Sequence, residues 1–273
     1  MRRIQFSLTV SEGKWLIAHA IADMKEVRDA IAGGRIVLKG GTTVSCVSEL
    51  ITGTPLRICG RISKRGAVSS KFTDSAQHSI MYSNGEITGL DPDFDTALLQ
   101  LGPNDVIIIG ANIIDNFGGA AMLAGSPAGN NCGRGVSAMS VEGGKTIIAA
   151  GIEKLIPGSV WDSIRAAQRK GVDASRGMAC GLFPVTELSA IKLIADVEAT
   201  LIGRGGIDGA EGGCLFQACG SEAEVAKLEA VLEKCYGRQT SGEEKSMVEC
   251  SFPCAQCGRH LSCCYKAKGA KRC

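Results

Sequence analysis

The chain has 273 residues, and its 30 lysines and arginines nearly balance 28 aspartates and glutamates. That balance leaves no strong field to draw the protein onto nucleic acid or an anionic membrane, so partners must be recognised by local sites. The basic start Met1-Arg2-Arg3 is interrupted by Glu12 and Lys14 before a secretion-length apolar run can form, which predicts no signal peptide. Runs such as 106–109 and 146–150 have the length of buried strands, which predicts no membrane span and a cytoplasmic protein.

Taken in chain order, apolar runs alternate with helical patterns. Residues 4–10 read as a strand, 12–32 as a helix and 35–39 as the next strand. Gly40-Gly41-Thr42-Thr43 then turns into a helix over 44–51, and 56–62 returns as a strand. Downstream come a helix over 93–101, a strand over 105–110, a short helical turn over 118–123, a strand over 145–151 and a helix over 159–170. The alternation predicts parallel βαβ units: an α/β fold with a doubly wound, mostly parallel, Rossmann-like sheet occupying residues 1–177. The polar, glycine-containing stretch 171–177 reads as a boundary. Beyond it, strands over 182–185, 197–203 and 214–219 and helices over 186–195 and 222–235 predict a smaller α+β domain, 178–237. Thr186-Glu187 and Ser221 with Glu224 supply N-cap chemistry for its helices. Residues 238–273 read as a charged linker and a cysteine-rich tail.

Strand-to-helix turns are where open α/β sheets bind ligands, and three of them carry suitable chemistry. Lys39, Gly40, Gly41, Thr42 and Thr43 suit an anion: glycines let amides approach, threonine hydroxyls donate, and a helix N-terminus favours phosphate or carboxylate. Gly110, Asn112 and Asp115 place an amide and a carboxylate after the second strand, where a hydroxylated ligand can be gripped. The loop from Gly125 and Ser126 to Arg134 is too rich in glycine to build a core, and reads as a cradle with a guanidinium for an anion. After the third strand, Glu153 is a candidate general base and Lys154 an anion clamp. Asp115 and Glu153 are the candidate catalytic carboxylates. His19 reads as a helix-face residue and His78 as a strand-edge one, and no nucleophile–base pair is spaced for a hydrolytic triad.

The succession Gly40-Gly41-Thr42-Thr43, then Gly110-Ala111-Asn112-Ile113-Ile114-Asp115, then a glycine-rich loop resembles the superfamily of ribose-5-phosphate isomerase, glucosamine-6-phosphate deaminase and the CoA transferases, over residues 30–155. The resemblance implies that Gly40 to Thr43 hold a phosphate while Asn112 and Asp115 face the sugar or acyl portion. The isomerases carry an Asp-Gly-Ala-Asp-Glu run where this chain has Gly110-Ala111-Asn112, a departure in acid density.

Thirteen cysteines, an odd count, argue against a disulfide framework, and six of them crowd the last stretch. Cys250, Cys254, Cys257, Cys263 and Cys264 are candidate metal ligands: closely spaced thiolates converge on one ion, and a short polar segment needs such a staple to fold. The set fits zinc or an iron–sulfur cluster equally, and no nucleotide cofactor is assigned. The expected partner is a small anionic metabolite. Neither a membrane nor nucleic acid is favoured, and a homo-oligomer is left open. Two functions follow: a protein that binds and transforms a phosphorylated or CoA-linked metabolite, as an isomerase or transferase, or a non-catalytic sugar-phosphate or anion sensor of the same fold.

Overall fold

The computed structural model describes residues 1–63, 66–69, 76–124, 130–142, 145–168 and 176–249. Its largest sheet is built around strands buried on both faces. β2 (Ile36–Lys39), β7 (Val106–Gly110) and β10 (Lys145–Ala149) run parallel in the order β10-β7-β2. Continuous Ile/Val/Leu runs are what such strands require. Ile36, Leu38, Val106, Ile108, Ile147 and Ala149 face one core, while Val37, Ile107, Ile109 and Ile148 face another on the opposite side. β5 (Ser79–Ser83) and β6 (Glu86–Gly89) extend the β2 side antiparallel, giving a mixed five-stranded sheet.

The first core holds α1 (Val10–Asp23), α2 (Lys25–Gly33) and α3 (Thr42–Thr52). α1 starts at a capping box in which the Thr9 side chain accepts from the Glu12 amide and the Glu12 carboxylate accepts from the Thr9 amide. The expected single helix over 12–32 is two, broken at Met24, whose extended backbone turns the chain between α1 and α2. α1 is apolar nearly all round because it also carries a second sheet. There β1 (Arg2–Leu8), β13 (Gly213–Gly220) and β12 (Val197–Gly205) lie antiparallel in the order β1-β13-β12, with Phe6 stacked on Phe216 at a centroid distance of 5.6 Å. α7 (Glu187–Ile194) and α8 (Glu222–Cys235) contribute to the same core. The N-terminal strand therefore pairs with β13 rather than beside β2.

The opposite face of the five-stranded sheet is covered by α4 (Phe94–Leu98), α5 (Asn130–Glu142) and a third sheet, β11-β9-β8. β8 is Ile113–Ile114, β9 Gly119–Ala124 and β11 Arg176–Leu182. The short helical turn expected at 118–123 is thus a strand. A brief run of small apolar residues fits either state, and pairing with β11 decides it. β3 (Gly60–Ser63) and β4 (Gly66–Ser69) form a hairpin. α6 (Val160–Ala167) packs beside β9 and β11, with Val160 and Ile164 in a small third core beside Ala121.

The charged stretch after α8 lies against the body of the protein. Arg238 stacks over the Trp15 ring at 3.8 Å, the Trp15 indole donates to the Gln239 carbonyl at 2.8 Å, and the Glu243 amide donates to the Leu56 carbonyl at 2.8 Å. It ends in α9 (Glu244–Met247), whose buried Ser246 hydroxyl accepts the Ile58 amide at 2.9 Å. No helix among the described residues is long and apolar enough to cross a membrane.

Candidate functional site

Parallel pairing of β2, β7 and β10 brings their carboxyl ends to one edge of the sheet, so the turns at Gly40, Gly110 and Gly151 stand side by side. At the β2 end the turn is dictated by a close approach. A β-carbon on Gly40 would overlap the His78 ring and carbonyl, and the Gly40 amide donates to that carbonyl at 2.6 Å. Glycine is therefore needed there for the fold itself. Gly41 differs: a β-carbon on it would meet nothing within 4 Å.

α3 opens directly from Gly41 with no side chain capping it. Its first backbone bond runs from the Ser45 amide to the Gly41 carbonyl at 2.8 Å. The amides of Thr42, Thr43 and Val44 precede that bond and have no intrahelical acceptor. Thr43 is 2 % exposed, and its hydroxyl oxygen has no hydrogen-bond partner among the described residues, an arrangement that costs stability unless something else supplies one. Lys39, the last residue of β2, and Lys14 on α1 are also buried, and no carboxylate among the described residues pairs with either. Lys39, whose charge acts on His78, stands beside an open helix N-terminus and makes this edge electropositive, while the charge of Lys14 acts on Cys46 of α3 and on Lys154.

His78 is held neutral. Burial, reinforced by the charge of Lys39, pushes its pKa down to about 4, and its Nδ1 lies 2.9 Å from the Arg57 carbonyl. Its backbone amide and that of Ser79 donate to Asp91, which pairs with Arg57 at 2.6 Å. His78 thus shapes the turn without adding a charge.

The β7 end offers less. Gly110 adds no side chain to the edge, and Asn112 is tied to β9, its amide donating to the Ala121 carbonyl at 2.7 Å and its Oδ1 accepting from the Leu123 amide at 2.8 Å. The carboxylate of Asp115 accepts from the amides of Phe117 (2.9 Å), Gly119 (2.7 Å) and Val160 (2.7 Å), the last at the start of α6. Burial alone would raise its pKa, but these three donors outweigh burial and lower it. Asp115 ties its own loop to the start of α6. Arg134 lies on α5, exposed, with its guanidinium on Asp95 of α4 at 2.6 Å. Gly125 and Ser126 lie outside the described residues, as do Cys250, Cys254, Cys257, Cys263 and Cys264. Among the described residues no cluster of histidine, cysteine, aspartate and glutamate could hold a metal.

The β10 end is the densest chemically. A 3-10 turn over Ile152–Lys154 follows Gly151, and the Glu187 carboxylate, at the first position of α7, accepts the Ile152 amide at 2.8 Å. Glu187 is 3 % exposed. A β-carbon on Gly13 or Gly151 would come within 2.6 or 2.8 Å of its Oε1, so both glycines are required by this carboxylate. Burial, and next the neighbouring Glu153, push the Glu187 pKa up to about 7. Lys154 Nζ stands 3.8 Å from Glu153 Oε1; burial lowers the Lys154 pKa, and Glu153 offsets part of that. Burial, then Glu187, raise the Cys214 thiol to about 11.

Of the residues singled out from sequence, Lys39 to Thr43, Gly110, Glu153 and Lys154 thus share one edge. Asp115 and Asn112 stand beside it but are committed to backbone groups. Glu187 and Lys14 were not singled out: Thr186-Glu187 carries only a capping signal, and Lys14 sits inside a helix with no local sign of burial. The chain matches no protein-family model, no curated protein and no solved structure.

Proposed function

We propose that this protein binds and transforms a small phosphorylated or CoA-linked metabolite, in the cytoplasm, at the carboxyl edge of a Rossmann-like core. The observation that carries the reading is the buried, unpartnered Thr43 hydroxyl on the uncapped first turn of α3. A bound phosphate or carboxylate oxygen would accept from that hydroxyl and from the three leading amides together, and Lys39 and Lys14 would balance its charge. The sequence resemblance to the phosphosugar isomerase and CoA-transferase superfamily points to the same turn. The buried carboxyl and amine groups after β10 support a transformation rather than binding alone. The commitment of Asp115 to three backbone amides favours the second reading, a sensor for the same anion that does no chemistry. The terminal cysteines are proposed separately as ligands for zinc or an iron–sulfur cluster.

A thermal-shift screen of inorganic phosphate, sugar phosphates and CoA esters tests the site. A ligand at a hundred times its Kd adds about 2.7 kcal/mol of stability. The expected result is stabilisation by phosphorylated compounds that Thr43→Val reduces about tenfold in apparent affinity. Equal shifts in wild type and variant, or no shift with any phosphorylated compound, would remove the proposal. Product analysis of the stabilising compounds then separates enzyme from sensor.

A further inference from the structure

We infer that the free edge of β1, with the acidic side of α8 beside it, is a docking groove for an extended basic segment of a partner protein, which adds as a fourth strand to the β1-β13-β12 sheet. The groove shares no residue with the strand-end turns and does not rest on the function proposed for them.

A cavity of about 380 Å³ lies between the strand and the helix. On the strand side it is lined by Ile4, Gln5 and Phe6, three residues in a row. Successive side chains of a strand point to opposite faces, so a cavity touched by three in a row meets the strand along its backbone edge. That edge has no neighbour among the described residues, because β1 is the outer strand of its sheet and pairs only with β13. Alternate residues of β1 therefore direct an N–H and a C=O outward, where a further strand can bond them.

On the helix side the lining is Glu229, Leu232, Glu233 and Tyr236, spaced along one side of α8 and its C-terminal cap. Arg2 shows what this side of α8 receives. It points to the same face of β1 as Ile4 and Phe6, and its guanidinium grips both oxygens of Glu229, at 2.8 and 2.7 Å. Glu233, one turn further on, is exposed and has no ion pair among the described residues. Burial, and next the charges of Glu233 and Glu12, push the Tyr236 pKa up, so carboxylate charge gathers at this end of the groove.

An added strand sets alternate side chains under α8, as β1 sets Arg2, and a lysine or arginine there meets Glu233. Side chains pointing the other way lie beside Arg3 and Gln5, which are exposed on the outer face, and suit polar or acidic residues. The occupant is thus an extended segment with a basic residue at every second position and no proline across the groove. A second copy of this chain fits less well. Two β1 edges joined about a dyad put both α8 helices on one face of the continuous sheet, with their acidic rows opposed.

A capped heptapeptide of alternating lysine and threonine, titrated into the full chain at low salt, tests the groove. Expected are a Kd below about 1 mM, a loss of about fivefold in Glu233→Lys, and slowed hydrogen exchange of the outward β1 amides on binding. Position 233 is exposed on a helix, so the variant is expected to keep the fold. The same peptide N-methylated at every residue keeps its charges but has no backbone donors, and is expected to bind at least about tenfold more weakly. No binding by the wild type overturns the proposal, as does equal binding of the N-methylated peptide or equal binding by Glu233→Lys. Outward β1 amides already protected in the free chain would show the edge filled by another part of the chain or by a second copy, and overturn it likewise.

Discussion

The β-carbon that Gly40 lacks would fall on the His78 imidazole, and the Gly40 amide donates to the His78 carbonyl at 2.6 Å. One residue on, Gly41 faces open space. Two adjacent glycines therefore do different things, and a substitution at each separates folding from binding.

Gly40→Ala must displace a partly buried histidine whose ring and backbone are both hydrogen-bonded, so it is expected to cost about 2–3 kcal/mol. The cost shows as a lower urea midpoint at unchanged slope. Gly41→Ala has an extended backbone at φ 169° that alanine adopts freely, and is expected to stay within about 0.5 kcal/mol of wild type. If the open space is the anion cradle, Gly41→Ala still loses phosphate stabilisation. A Gly41 variant that binds phosphate as wild type does places the anion elsewhere.

Asp115→Ala is expected to cost about 2 kcal/mol, because the amides of Phe117, Gly119 and Val160 all lose their acceptor. The folded carboxyl is held below its usual pKa of 3.8, so its contribution is fully present above the unfolded value and is lost as pH falls through the folded one. The difference between wild type and variant should thus be constant from about pH 5 upward and shrink below about pH 4. Denaturant titrations of both proteins across that range check it; a difference independent of pH down to about 2 would contradict the carboxylate's role.

Ser246→Ala removes the acceptor of the buried Ile58 amide, which reaches the serine at 2.9 Å across 188 residues of sequence. A loss of about 1–3 kcal/mol is expected. Hydrogen exchange should show the Ile58 amide and the neighbouring Glu243 amide, which donates to Leu56, deprotecting together. Protection unchanged at Ile58 would mean that the stretch after α8 does not clamp the 56–61 segment.

What the sequence determined by itself is local in origin. Continuous apolar runs marked β2, β7 and β10 as buried strands, and glycine-rich turns after them placed Lys39 to Thr43, Gly110, Glu153 and Lys154 at strand ends, because parallel strands crossed by helices put those ends on one edge. Capping chemistry at Thr186 and Ser221 marked two helix starts, and both accept the expected amides. Pairing between distant strands was decided only by tertiary structure. β1 and β13 are joined across more than two hundred residues, and nothing local distinguishes a strand bound for β13 from one bound for β2. The same holds for the fate of each charge. Asp115 reads as a free carboxylate until two amides of its own loop and the Val160 amide at the start of α6 close on it, and Glu187 reads as a helix-capping acid until burial against Gly13 and Gly151, with Glu153 nearby, pushes its pKa up to about 7. A side chain's protonation depends on water exclusion and on neighbours brought from elsewhere in the chain, and neither is written in the residues beside it.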